Sequence, residues 1–169
     1  MITVRLIHPT KALEPQIMAM KQEFYAAEER MIPGSNRLDN DRIPFDVWLK
    51  ILEDNAKETA QPTTDVYLGQ NEAGEIVGIL SFRHADTGFF KDSGHIGYSV
   101  RPSQRRKGYA KAMLAATLDL ARTAGLSEVK VVCQAVNEGS RRTILACGGK
   151  LNRTFLAGDT PEEEYTITL

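Results

Sequence analysis

Apolar and polar residues alternate from Ile2 to Ile7, with Ile2, Val4 and Leu6 set against Thr3 and Arg5, which predicts a first strand before His8-Pro9. The period then changes. Between Leu13 and Glu29 the apolar residues Ile17, Met20, Phe24 and Ala27 recur at three- and four-residue spacing, the pattern of an amphipathic helix. Pro33-Gly34-Ser35-Asn36 breaks the chain, and polar residues run on to Arg42. A second helix is predicted from Pro44 to about Lys57, burying Val47, Trp48, Ile51 and Leu52.

Strands dominate the middle. Thr64 to Gly69 and Ile76 to Arg83 flank the turn-forming Asn71-Glu72-Ala73-Gly74, as in a hairpin. His95 to Val100 is the next strand, after a loop that contains Phe89-Phe90. A long helix follows from about Lys107 to Ala124, with Ala110, Met113, Leu114, Thr117, Leu118 and Ala121 on one face and Gly125 as its stop. Glu128 to Cys133 reads as a strand, Gly139 to Ala146 as a short helix, and Tyr165 to Leu169 as a closing strand. The order β-α-α-β-β-β-α-β-α-β predicts an α/β (α+β) fold, a mixed sheet with helices packed on it.

Length and composition narrow the class. At about 150 residues per domain, the 169 residues predict a single domain over 1–169. The 42% apolar and 25% charged fractions are those of a globular chain. A net charge of −1 argues against a whole-domain nucleic-acid binder, so no nucleic-acid partner is expected, although a local basic patch remains open. No run approaches the roughly 20 apolar residues of a membrane span, so no membrane partner is expected. Cys133 and Cys147 are too few for a disulfide framework, and His8, His84 and His95 lack metal-ligand spacing, so no metal is expected. No signal-peptide pattern opens the chain, and a reducing cytoplasm is the expected compartment. The run Thr166-Ile167-Thr168-Leu169 is expected at a sheet edge, where it could pair with a second copy in a homodimer.

The densest chemistry lies at Tyr98-Ser99-Val100-Arg101-Pro102-Ser103-Gln104-Arg105-Arg106-Lys107-Gly108-Tyr109-Ala110. A strand ends, a turn follows, and a long helix opens. Unpaired N–H groups and the positive dipole end at such a helix start receive an anion. Gly108 and Ala110 leave room for a phosphate to approach the backbone, and Arg101, Arg105, Arg106, Lys107 and Lys111 surround the point with positive charge. A solvated basic turn and a nucleic-acid contact are the other readings of the run, and a compact polyphosphate fits its shortness better.

In this setting Arg105 to Ala110 resembles the (Gln/Arg)-x-x-Gly-x-(Gly/Ala) signature of the GNAT (general N-acetyltransferase) superfamily, following a strand that ends in Val-x-Pro. Asn137-Glu138-Gly139-Ser140 through Gly148-Gly149 resembles the family's second motif, an Asn after a strand and before a short helix ending in Gly. Gly94 to Pro102 resembles a bacterial branch of predicted acetyltransferases. The resemblance implies a GNAT-like central mixed, mostly antiparallel sheet flanked by helices. It also implies an acetyl-CoA-dependent N-acetyltransferase that transfers acetyl directly to a primary amine of a small molecule or a peptide or protein.

Residue by residue, the resemblance implies that the backbone of Arg105, Arg106, Lys107, Gly108, Tyr109 and Ala110 holds the pyrophosphate. Val100 pairs with the pantetheine arm and nearby N–H groups stabilise the oxyanion. Asn137 and Ser140 touch the arm or the phosphates from the other side, and Arg141 is either a phosphate ligand or a surface residue. Two positions depart from the family pattern. Gly94 stands where many relatives carry a Glu, and Ile144 where many carry a Tyr. His95 is the candidate base, against a structural or exposed histidine, and Tyr165 the candidate acid if the fold brings it to the thiol. Tyr98 and Tyr109 read as core or cofactor-packing residues. Glu28, Glu29, Asp39 and Asp41 are expected either to attract a cationic amine or to be merely solvated. The departures motivate an alternative, a catalytically weak CoA-binding regulatory domain.

Overall fold

The structure is a computed structural model that describes residues 2–169. In chain order it holds β1 (Arg5–Ile7), α1 (Glu14–Ala26), α2 (Phe45–Asn55), β2 (Thr64–Gln70), β3 (Ile76–Arg83), β4 (Ile96–Val100), α3 (Tyr109–Thr123), β5 (Glu128–Gln134), α4 (Glu138–Ala146), β6 (Lys150–Ala157) and β7 (Thr160–Thr168). The strands form one sheet in the order β1-β2-β3-β4-β5-β7-β6. Only β4 and β5 run parallel; every other neighbouring pair is antiparallel. The predicted mixed, mostly antiparallel sheet with flanking helices is the fold observed.

Each face of the sheet has its own core. Ile17, Met20 and Phe24 of α1 and Trp48 and Leu52 of α2 pack on Val66, Leu68, Ile76 and Ile79. On the other face Met113, Leu114, Leu118 and Ala121 of α3, with Ile144 of α4, cover Leu80, Phe82, Ile96, Val129, Val131 and Ile167. The helical periods therefore name the buried faces, with three misses: Val47 is 48% exposed, Ile51 is only half-buried, and Ala27 is exposed beyond the end of α1. β3 is buried from Ile76 to Phe82 because helices cover both its faces. No described helix is long and apolar enough to cross a membrane.

The C-terminal third departs from expectation. β6 is not among the predicted strands, since all its residues but Phe155 are exposed and no apolar alternation marks it. β7 begins at Thr160, five residues before the predicted closing strand. The expected edge position of Thr166 to Leu169 is also corrected: β7 lies between β5 and β6, with Thr166 opposite Lys150 of β6 and Lys130 of β5, and β6 forms the edge of the sheet.

The segment between α1 and α2 is pinned to β4. Ser99 Oγ donates to the Pro33 carbonyl at 2.6 Å, and Trp48 Nε1 donates to the carbonyls of Ser35 and Asn36 at 3.1 and 3.0 Å. Gly34 has φ +82°, and a Cβ there would overlap the Gly97 carbonyl oxygen and stand 2.7 Å from its carbon. Gly34→Ala is expected to cost about 2–4 kcal/mol from left-handed strain plus backbone overlap. A fall in the urea midpoint of about 1–2 M checks it; an unchanged midpoint contradicts the close approach.

Candidate active site

The sheet opens where β4 and β5 should pair. Their parallel ladder holds one register pair, Ile96 with Val131, after which the strands separate. Arg101 N–H donates to the Val77 carbonyl at 2.7 Å, so alternation turns the backbone groups of Ser99 and Gly97 toward β3 as well. The same alternation turns the N–H groups of Tyr98 and Val100 into the gap. The Val100 carbonyl there accepts Arg105 Nε at 3.1 Å.

The gap leads to the loop that starts α3. Gly108 is the N-cap residue with φ +90°, and Arg106 also lies in the left-handed region at φ +61°. Turns of alternating hand make successive N–H groups converge into an anion-binding nest. Ala112 N–H is bonded to the Gly108 carbonyl at 3.1 Å, which leaves the amides of Tyr109, Ala110 and Lys111 at the open helix start. The basic collar is only partly free. Arg101 Nε donates to Glu23 at 2.5 Å, and Arg105 forks onto both carboxylate oxygens of Glu29 at 2.8 Å. Lys107 Nζ reaches Gln104 at 3.2 Å. Arg106 and Lys111 complete the cationic rim.

Two adjoining cavities follow this path. One, of about 220 Å³, lies under the loop between Val100, Gly108, Tyr109, Lys111 and Thr143. The other, of about 460 Å³, is lined by Glu29, Pro33, Tyr98, Gln134, Asn137 and Ser140. Together they span the size of a cofactor site. Asn137 caps α4 by accepting Ser140 N–H at 3.1 Å. Tyr98 OH and Ser140 Oγ share a hydrogen bond of 2.9 Å across the cleft. Burial pushes the Tyr98 phenol up to about 12, so it keeps its proton at neutral pH.

The acetyltransferase (GNAT) domain family matches residues 7–150 of the chain. The chain belongs to the GNAT family. No curated protein gives a significant match. Solved structures of GNAT proteins share the fold. Mycobacterium smegmatis RimJ, in complex with CoA-disulfide, is 21% identical with a TM-score of 0.77, covering 99% of this chain and 85% of that one. The microcin C7 self-immunity acetyltransferase MccE, in complex with acetyl-CoA and AMP, is 14% identical with a TM-score of 0.73, covering 99% and 93%. A variant of spermidine N-acetyltransferase SpeG from Vibrio cholerae is 12% identical with a TM-score of 0.68, covering 98% and 94%.

Within this GNAT fold, Val100, Arg105, Arg106, Lys107, Gly108, Tyr109, Ala110, Asn137 and Ser140 gather around the gap and its loop. His95 and Tyr165 do not line the cleft. His95 is 7% exposed, and its Nδ1 accepts Lys130 N–H at 2.9 Å. Its Nε2 faces Asp86 Oδ1 at 3.7 Å. Burial holds the imidazole below its ordinary value, with Asp86 opposing, so it is neutral at pH 7. Whatever stability that depressed value provides is present above the ordinary histidine range and is lost as pH falls through the folded value. His95→Ala strands the Lys130 amide and is expected to cost about 1–3 kcal/mol, while turnover stays within about threefold. A loss near 100-fold in steady-state rate would make it the base after all.

Tyr165 is 3% exposed and packs in the core with Val131, Cys133 and Ile144. Burial raises the Cys133 and Cys147 thiols, which disfavours either as a nucleophile. Arg141 is committed to Glu163 at 2.6 Å and to the Ala135 carbonyl. The acidic segment is committed to contacts within the chain: Asp39 accepts Ile32 N–H at 2.8 Å, and the exposed Asp41 holds Lys21 at 2.9 Å and Tyr25 OH at 2.9 Å.

The structure adds a carboxylate that sequence reasoning passed over. Glu162 on β7 lies opposite Gln134, which lines the cleft, and opposite Phe155 on β6. Its neighbours are both engaged, Glu163 with Arg141 and Glu164 with Asn152 and Arg153. Glu162 is half-buried, and burial alone raises its pKa. Three consecutive glutamates in a strand were the available signal, because alternation must turn at least one of them inward.

Proposed function

We propose that this chain is an acetyl-CoA-dependent N-acetyltransferase, acting as one domain on a primary amine of a small molecule or a peptide or protein. The gap between β4 and β5, opening onto the Gly108 loop, carries the reading. Pantetheine fits as an added strand against the N–H groups of Tyr98 and Val100, and the diphosphate fits the nest from Arg105 to Ala110. The donor supplies an activated acetyl carbonyl.

The chain's own residues then do three things. The Tyr98 N–H, aimed into the gap, stabilises the oxyanion, a contribution of roughly 3–4 kcal/mol for such donors. Glu162, raised by burial, draws a proton from the acceptor ammonium through water. The Tyr98–Ser140 hydroxyl pair protonates the departing thiolate. The amine nitrogen forms the C–N bond as the C–S bond breaks; one ammonium proton passes to solvent and another replaces the one given to sulfur. Holding the two reactants together in the cleft supplies much of the acceleration.

Calorimetric titration with acetyl-CoA and with CoA tests the donor site, and thiol release over a panel of primary amines tests transfer. Micromolar donor binding with amine-dependent thiol release is expected. Failure to bind either donor form overturns the reading. One observation favours the alternative, a CoA-binding regulatory domain: neither His95 nor Tyr165 reaches the cleft. Donor binding with slow hydrolysis and no response to any amine would support it.

A further inference from the structure

Arg105 borders both cavities, yet its guanidinium is turned onto the end of α1. The helix closes with Glu28 N–H on the Tyr25 carbonyl and Glu29 N–H on the Phe24 carbonyl, at 3.0 and 2.9 Å, and Glu28 at φ +63°. That closure delivers the Glu29 side chain to the cleft wall. Glu29 is the one carboxylate and Arg105 the one cation among the residues lining the 460 Å³ cleft. Each cancels the other through two hydrogen bonds of 2.8 Å.

The pair is built to be exchangeable. Its side chains are 42% and 38% exposed, where an ion pair contributes little. Glu29 also follows the C-terminus of α1, where a negative charge is disfavoured. A diphosphate offers the planar guanidinium more anionic oxygens than a single carboxylate does. The neighbouring pair differs. Glu23 holds Arg101 at 2.5 Å and Ser103 N–H at 2.6 Å, and neither Glu23 nor Arg101 lines a cavity, so that pair is a fixed strap.

Resting on the reading of this cleft as an acetyl-CoA site, we propose that Glu29 is the carboxylate that binds the acceptor's ammonium group, covered by Arg105 until the CoA diphosphate draws the guanidinium away. The amine site then comes into being only on the donor-bound protein. The coupling is reciprocal, so an ammonium group held by Glu29 in turn tightens CoA.

The two pairs give opposite signs in one experiment. Titrated with CoA, Glu29→Gln is expected to bind about two- to five-fold tighter than wild type, since Arg105 then leaves no charged partner, only the Val100 carbonyl. Glu29→Asp, too short to keep the fork, falls between. Glu23→Gln loosens the strap and binds CoA more weakly. Inorganic pyrophosphate, which carries only the diphosphate, shows the same order. Equal or weaker CoA binding by Glu29→Gln overturns the proposal. Loss of CoA binding in wild type and variants alike instead overturns the donor site itself, and the proposal with it. For the amine half, ethylammonium chloride is expected to shift backbone amide resonances of Glu29 to Ile32 and of Gly34 and Ser35 only when CoA is present, and not in CoA-saturated Glu29→Gln. Equal shifts without CoA, or shifts that persist in Glu29→Gln, overturn it.

Discussion

Gly108→Glu is expected to abolish measurable binding of acetyl-CoA and CoA while leaving the fold intact. At φ +90° any L side chain is strained, at about 1–2 kcal/mol. A Cβ at this position meets Ile2 Cδ1 at 3.4 Å, an ordinary contact, so the protein tolerates the atom itself. Charge matters more than strain. A carboxylate beside the diphosphate repels it by about 4 kcal/mol at 4 Å and an effective dielectric of 20, close to a thousandfold in affinity. Gly108→Ala separates the two effects, since it keeps the strain and adds no charge; about tenfold weaker binding is expected. Calorimetry measures both, and a melting curve within a few degrees of wild type confirms folding. Unchanged affinity in Gly108→Glu removes the diphosphate from this loop.

Glu162→Gln is expected to lower kcat/KM by about 10²–10⁴-fold with CoA affinity unchanged, the range for removing a general base. The pH profile carries the discriminating sign. Burial raises the Glu162 carboxyl above its usual range, so wild-type activity rises with pH through that elevated value as the base becomes ionised. The variant loses this acidic limb. Stability moves the other way. A carboxylate with a raised folded pKa stabilises the fold only in its protonated form, and that contribution is lost as pH rises through the folded value. Glu162→Gln is therefore more stable than wild type at pH 7, and the difference closes below about pH 4, the ordinary Glu range. Unchanged kcat/KM, or a loss explained by weaker CoA binding, would return Glu162 to a purely structural place on β7.

The loop and helix start proposed for the donor are local in the chain, and their geometry was legible for that reason. The Val100 strand end, the turn, Gly108 and the start of α3 lie within a few residues of one another, and a helix start binds anions wherever it occurs. The collar shows where such reading stops. Arg101 and Arg105 count as phosphate cations in sequence, but α1 brings Glu23 and Glu29 against them from far upstream. Asp39 and Asp41 read as either an acidic lure or a solvated loop, and they hold Ile32, Lys21 and Tyr25. A charge in a sequence has no partner until the chain folds.

Periodicity determined the long helices, because one buried face repeats every 3.6 residues, while short apolar runs between turn residues marked the central strands and the order of elements gave the mixed sheet. It could not reveal β6, an exposed edge strand with no buried face to repeat. It could not single out Glu162 either, because which of three glutamates stands opposite Gln134 of the cleft wall depends on the register of β7 against β5. The tertiary structure also withdrew His95 and Tyr165 from the cleft and matched Arg105 to Glu29. Those outcomes rest on contacts between residues distant in sequence, and only the packed sheet and its covering helices set them.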